Sequence, residues 1–128
     1  MNTPNICKSF VAASTITEFA VVALDSNGKV AVATDATSDL IVGVAQRGAS
    51  AGDVVDVIVH GETRAIAGAA LTFSSTPRLT VGAAGVLVDG SDAGDFPVAR
   101  VLPNVNQTST SASGEQIVVL FHGPVTAN

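Results

Sequence analysis

Short hydrophobic runs, broken by small polar turns, fill the chain from residue 19 to residue 122. The most informative stretch is residues 43–61, GVAQRGASAGDVVDVIVHG. Side chains alternate along a strand, so Val55, Val57 and Val59 share one face while Val54, Asp56, Ile58 and His60 share the other. The first face is uniformly apolar and is expected to be buried; the second is mixed. The stretch reads as a small-residue strand, a polar turn on Gly48 and Gly52, and a Val-rich strand stopped by Gly61.

Around this pair the same signals recur. Residues 19–24 (FAVVAL) form an apolar run that ends in Asp25-Ser26-Asn27-Gly28, and Asn-Gly supplies the positive φ angles of a tight hairpin turn. Residues 29–34 then return antiparallel, and a polar loop over residues 35–39 leads to residues 40–45 (LIVGVA). Residues 62–70 are Ala-rich but cut by Gly68, so a helical turn and a strand are both allowed. Ser74-Ser75-Thr76-Pro77 marks a turn. Residues 78–81, 85–88, 98–102 and 116–122 read as strands, and Gly123-Pro124 stops the last. Residues 103–113 are polar and of low complexity, as in a surface loop. The pattern of Val30, Val32, Asp39, Leu40 and Val42 recurs as Val86, Val88, Asp95, Phe96 and Val98, which reads as two similar hairpins rather than a duplication. Turn signals every ten residues or so, with no long helical period, predict an all-β fold: a small antiparallel β-barrel or β-sandwich.

Residues 1–14 have neither period and contain Pro4, so they read as an extended N-terminal arm, with residues 15–128 as a single β domain. Ile6, Phe10 and Val11 in that arm are more than a solvated tail needs. Either the arm is disordered, as termini often are, or it orders on a neighbour as an added strand. These three residues are the candidate contacts with a partner protein or a neighbouring subunit.

Composition narrows the function. The 128 residues suffice for a core, but its apolar side chains are mostly Ala and Val, with no Trp or Tyr and five Phe. Subunit contacts would supply some of the missing burial. Six Lys plus Arg, scattered along the sequence, face eleven Asp plus Glu, so no footprint for nucleic acid is expected. Cys7 is alone and leaves the redox compartment unread. No convincing secretory signal and no run of membrane-spanning length is present, so a soluble protein made in a cytoplasm is expected, with no membrane partner.

Candidate chemistry is thin. Gly48-Ala49-Ser50-Ala51-Gly52 fits G-x-S-x-G, with Asp53, Asp56, His60 and His122 following in hydrolase order. That elbow needs a helix after the Ser, whereas a strand is expected here, so the segment reads as a turn and no catalytic residue is assigned. Residues 35–39 and 89–95 could offer oxygens to Ca²⁺, but the second lacks the EF-hand spacing and its closing Glu, and solvated Asp/Gly turns are common for backbone reasons. His60 and His122 lack Cys or clustered carboxylate companions, and Asn106-Gln107-Thr108 is a glycosylation triplet without a signal peptide. No metal, no cofactor and no enzymatic activity is expected.

The order of a glycine-turned hairpin, Gly43-Val44-Ala45, Ala51-Gly52-Asp53 with alternating Val up to Gly61, an Ala/Gly-rich segment over residues 65–70, and Gly85-Val86-Leu87-Val88 resembles the small capsid decoration, or cement, proteins of tailed bacteriophages. The likeness covers residues 17–122 and rests on Gly/Val patterns rather than chemical signatures. It implies a β-rich homotrimer on the outer surface of the virion capsid, clamping neighbouring major capsid protein subunits against internal pressure, with the N-terminal arm touching the shell. It also implies synthesis in a bacterial host cytoplasm. Two other classes stay open: a host-facing head-fibre or adhesin module, marked by an exposed aromatic or cation site for glycans, and a small serine hydrolase acting through Ser50.

Overall fold

The computed structural model describes residues 5–34, 40–69, 71–72, 78–90, 96–102, 109–110 and 114–123. Among them the strands are β1 (Ile6–Val11), β2 (Val21–Leu24), β3 (Val30–Val32), β4 (Ile41–Ala45), β5 (Val54–Ile66), β6 (Leu71–Thr72), β7 (Arg78–Val81), β8 (Leu87–Asp89), β9 (Ala99–Val101), β10 (Ser109–Thr110) and β11 (Gln116–Phe121). The fold is all-β: the main antiparallel sheet, curled into half-barrels, runs β3-β2-β4-β5-β11-β9-β7-β8, with β1 on the free side of β5, and β6 and β10 pair antiparallel as a separate two-stranded sheet. The loop over residues 35–39, the turn at residues 74–77, residues 91–95 of the acidic loop, Asn106 and Pro124 lie outside the described residues.

Several expectations change in detail. Of the arm predicted over residues 1–14, the described residues 5–14 lie along the domain: β1 pairs antiparallel with β5, and Ala12 is fully buried. The apolar residues of the segment and the open flank of β5 account for this. The hairpin after β2 is wider than an Asn-Gly turn. Asp25 N–H donates to Lys29 C=O (2.8 Å), and the Asp25 carboxylate accepts the N–H groups of Asn27 (2.8 Å) and Lys29 (2.9 Å). That carboxylate fixes a three-residue loop in which only Gly28 takes positive φ. Nor does Gly61 stop the Val-rich strand, since β5 runs through it for 13 residues. The Ala-rich segment after it continues as strand to Ile66.

The two stretches of the recurring Val pattern are not hairpins, and the arrangement that does repeat matches Val30 and Val32 with Leu87 and Asp89, one residue away from Val86 and Val88. β3 and β4 do not pair with each other; both flank β2, just as β8 and β9 flank β7. Register agrees residue for residue. Val22↔Val32, Ala23↔Ala31 and Leu24↔Val30 recur as Leu79↔Asp89, Thr80↔Val88 and Val81↔Leu87. Val44↔Ile58 and Ala45↔Val57 recur as Arg100↔Leu120 and Val101↔Val119. Lys8↔Val57 and Phe10↔Val55 recur as Thr63↔Val119 and Ala65↔Ile117. Closing bonds match too: Ala13 N–H donates to Val30 C=O, and Gly68 N–H to Leu87 C=O, both at 2.8 Å. Each unit thus curls until the residues after its first strand meet its third. β5 is the last strand of the first unit and the first strand of the second.

That double role explains a bulge. Ile6 faces His60 and Cys7 faces Ile58, leaving Val59 as an extra residue. A bulge shifts the alternation by one. Val55 and Val57 therefore point into the first core, with Ala12, Ile16, Val22, Val30 and Ala45, whereas Ala65 points into the second. The second core holds the interior of unit two (Ala67, Leu71, Leu79, Leu87, Val101, Ile117, Val119, Phe121) together with Val21, Ala33, Ile41 and Val44 from the opposite face of unit one. Unit two is docked on that face.

Candidate interaction surface

β1 presents the residues singled out as contacts, but not as one patch. Val11 lies directly opposite Val54 and both are exposed, at 37% and 52%, forming a small apolar spot. Ile6 is 56% exposed at the bulged end. Phe10 instead packs against the first core, with the Lys8 ammonium 5.9 Å from its ring centroid. Alternation separates Phe10 from Val11, and the first core takes the larger side chain. Cys7 is exposed on the same strand, and Ser9 Oγ donates to Asp56 Oδ1 at 2.9 Å.

The segment around Ser50 forms a turn. Asp53 N–H donates to Ser50 C=O (3.0 Å) and Gly52 takes φ 89°, the geometry of a type II turn, with Ser50 N–H bonded to Asp53 Oδ2. Strand β5 follows directly, so the strand–Ser–helix arrangement of a nucleophile elbow is absent. The loop is stitched to the N-terminal segment through Ile16–Ala49 and Ala12–Gly52 backbone bonds. His60 is exposed on β5, and His122 Nδ1 lies 2.7 Å from Gly123 O. Among the described residues no group of three His, Cys, Asp or Glu converges to hold a metal, and no helix is long and apolar enough to cross a membrane.

The fold also assembles a feature the sequence does not display. Glu62, Leu120, Arg100 and Arg78 stand directly opposite one another across β5, β11, β9 and β7. Residues paired this way share a sheet face. Arg64, opposite Val118, lies two positions along from Glu62 on that face, and donates to Gln116 Oε1 at 3.2 Å. Arg64, Arg78 and Arg100 are exposed, while Val118 and Leu120 between them are half-buried. Three of six basic residues, scattered along the chain, thus share one surface. A shallow groove lined by Asn5, Glu62, Thr63, Arg64 and Val118 borders it. In the sequence the only trace is that Arg78 and Arg100 occupy outward positions of short strands, while Arg64 lies in the Ala-rich segment that becomes the second half of β5.

No family model matches the chain, and no curated protein matches its sequence. Among solved structures, the crystal structure of the head fibre gp8.5 N base in bacteriophage phi29 is similar to it, with a TM-score of 0.66 and 16% identity, over 96% of this chain and 99% of that one. At that identity the likeness establishes a shared fold.

Proposed function

We propose that this chain is a non-catalytic structural protein of a bacteriophage virion, carried on the outer surface of the head as the base of a head fibre. The observation that carries the reading is the similarity in fold, over nearly the whole of both chains, to a phage head-fibre base. That likeness favours the fibre-base role over a purely cementing one. Binding to the major capsid protein and assembly as a homotrimer belong to the same proposal, as the resemblance to decoration proteins implies. A Val/Ala-rich β module with exposed Ile6, Val11 and Val54 offers apolar contacts for such assembly. The test is gold-labelled antibody against the chain applied to intact purified particles. Label on the heads is the expected result; particles that lack the protein, or carry it only on tails, would reject the reading.

A further inference from the structure

Unit one and unit two present matching faces with opposite fates. In unit one the cross-strand row Val21, Val44, Ile58 and Cys7 is covered along most of its length: Val21 and Val44 are fully buried in the core shared with unit two, and Ile58 is 8% exposed. The matching row of unit two is Arg78, Arg100, Leu120 and Glu62, related by the same pairings. Among the described residues no further unit packs on it. Where Val21 and Val44 seal one unit against the other, Arg78 and Arg100 stand exposed, with Arg64 beside them.

We infer that this arginine-bearing face of unit two is the docking surface for an acidic protein partner, one that presents carboxylates around an apolar strip. The occupant follows from charge and shape. Guanidinium groups bind carboxylates in a fixed fork geometry, and the half-buried Val118 and Leu120 between them offer apolar contact without demanding a deep pocket. The face carries one acidic residue, Glu62, beside its three arginines, whereas the rest of the chain carries ten acidic residues against Lys8, Lys29 and Arg47, so the face stands out as net basic against its own background. Complementary charge sets orientation and rate of encounter. The inference rests on the virion reading, in which the partner is the head shell, and it assigns the side of the module that faces that shell.

The experiment uses heads purified without this protein and labelled full-length chain. Wild type is compared with R64E/R100E and with K29E/R47E, which changes net charge equally but elsewhere; melting curves check that each variant is folded. The expected result is binding to heads that weakens with rising salt, falls about tenfold or more in R64E/R100E, and persists in K29E/R47E. Equal loss in both pairs, or none in R64E/R100E, overturns this inference and leaves the virion reading standing. Wild type that binds no head overturns the virion reading itself. A short DNA duplex serves as a second probe. Retention on DNA lost in R64E/R100E while head binding is kept would assign the face to nucleic acid and refute the inference. A drop in solution mass of that variant with head binding kept would assign it to a second copy, with the same consequence.

Discussion

Gly28 and Gly85 occupy the same position in the two units, and their surroundings differ in a way that measures the docking between units. Both take positive φ, 77° and 73°. A Cβ on Gly28 would meet nothing within 4 Å, whereas one on Gly85 would lie 2.9 Å from the Val21 carbonyl oxygen, 2.9 Å from Val32 Cγ1 and 3.1 Å from Ala20 Cβ. All three are atoms of unit one, and one of them is backbone, which cannot rotate away. Gly28→Ala therefore carries only the cost of placing an L-residue in the left-handed region, about 1–2 kcal/mol. Gly85→Ala adds the cost of overpacking, about 1–3 kcal/mol, for a total of about 2–5 kcal/mol. Urea denaturation of both variants, analysed at a common slope, gives the difference directly. A Gly85→Ala loss no greater than that of Gly28→Ala would mean that the second hairpin does not press on the first unit, and the docked arrangement would be wrong.

Other substitutions test the two cores and the Ser50 turn. Phe121 is fully buried where β11 closes the second core, so Phe121→Ala is expected to cost about 3–5 kcal/mol, visible as a large fall in thermal midpoint; a shift of a degree or two would contradict its placement. Thr63, 6% exposed, accepts a hydrogen bond from Gln46 Nε2 at 2.9 Å and donates to Arg64 C=O at 3.1 Å. Thr63→Val keeps the shape and is expected to lose about 1 kcal/mol by calorimetry, with unchanged stability counting against these bonds. Ser50→Ala leaves the backbone bonds of its turn intact, so a stability change within about 0.5 kcal/mol is expected. Any hydrolysis of generic esters is expected to be the same in wild type and Ser50→Ala; hydrolysis that disappears in the variant would restore the nucleophile reading.

Alternation and turn chemistry made most strands legible, because each depends on local sequence. Val55 and Val57 are buried as the period demands, whereas Val59, expected on the same face, is half-buried because the bulge falls on it; every expected strand from residue 78 onward appears within a few residues of its place. Three things were not legible. Passage of β5 through Gly61 depends on partners far along the chain: β11 on one side, and on the other the Asn5 amide, which bonds both N–H and C=O of Glu62. The repeated arrangement was hidden because equivalent positions keep geometry rather than identity, and the Val pattern in the sequence runs one residue out of step with it over β3 and β8. Val21 and Val44 are sealed between units, while Arg78 and Arg100 face outward, so different residues suit the same register. The connection between β9 and β11 is also longer than that between β4 and β5, which shifts the alignment. The arginine face was invisible for a related reason. Arg64, Arg78 and Arg100 are distant in sequence and are joined only by the strand order β5-β11-β9-β7.

On the proposed function the chain sits on the outside of a phage head. Image reconstruction of heads produced with and without its gene tests that most directly. The expected result is difference density on the outer surface, sized for the two-unit β module, with the face bearing Arg64 and Arg100 turned toward the shell. Identical reconstructions, or extra density only on the inner surface, would contradict it.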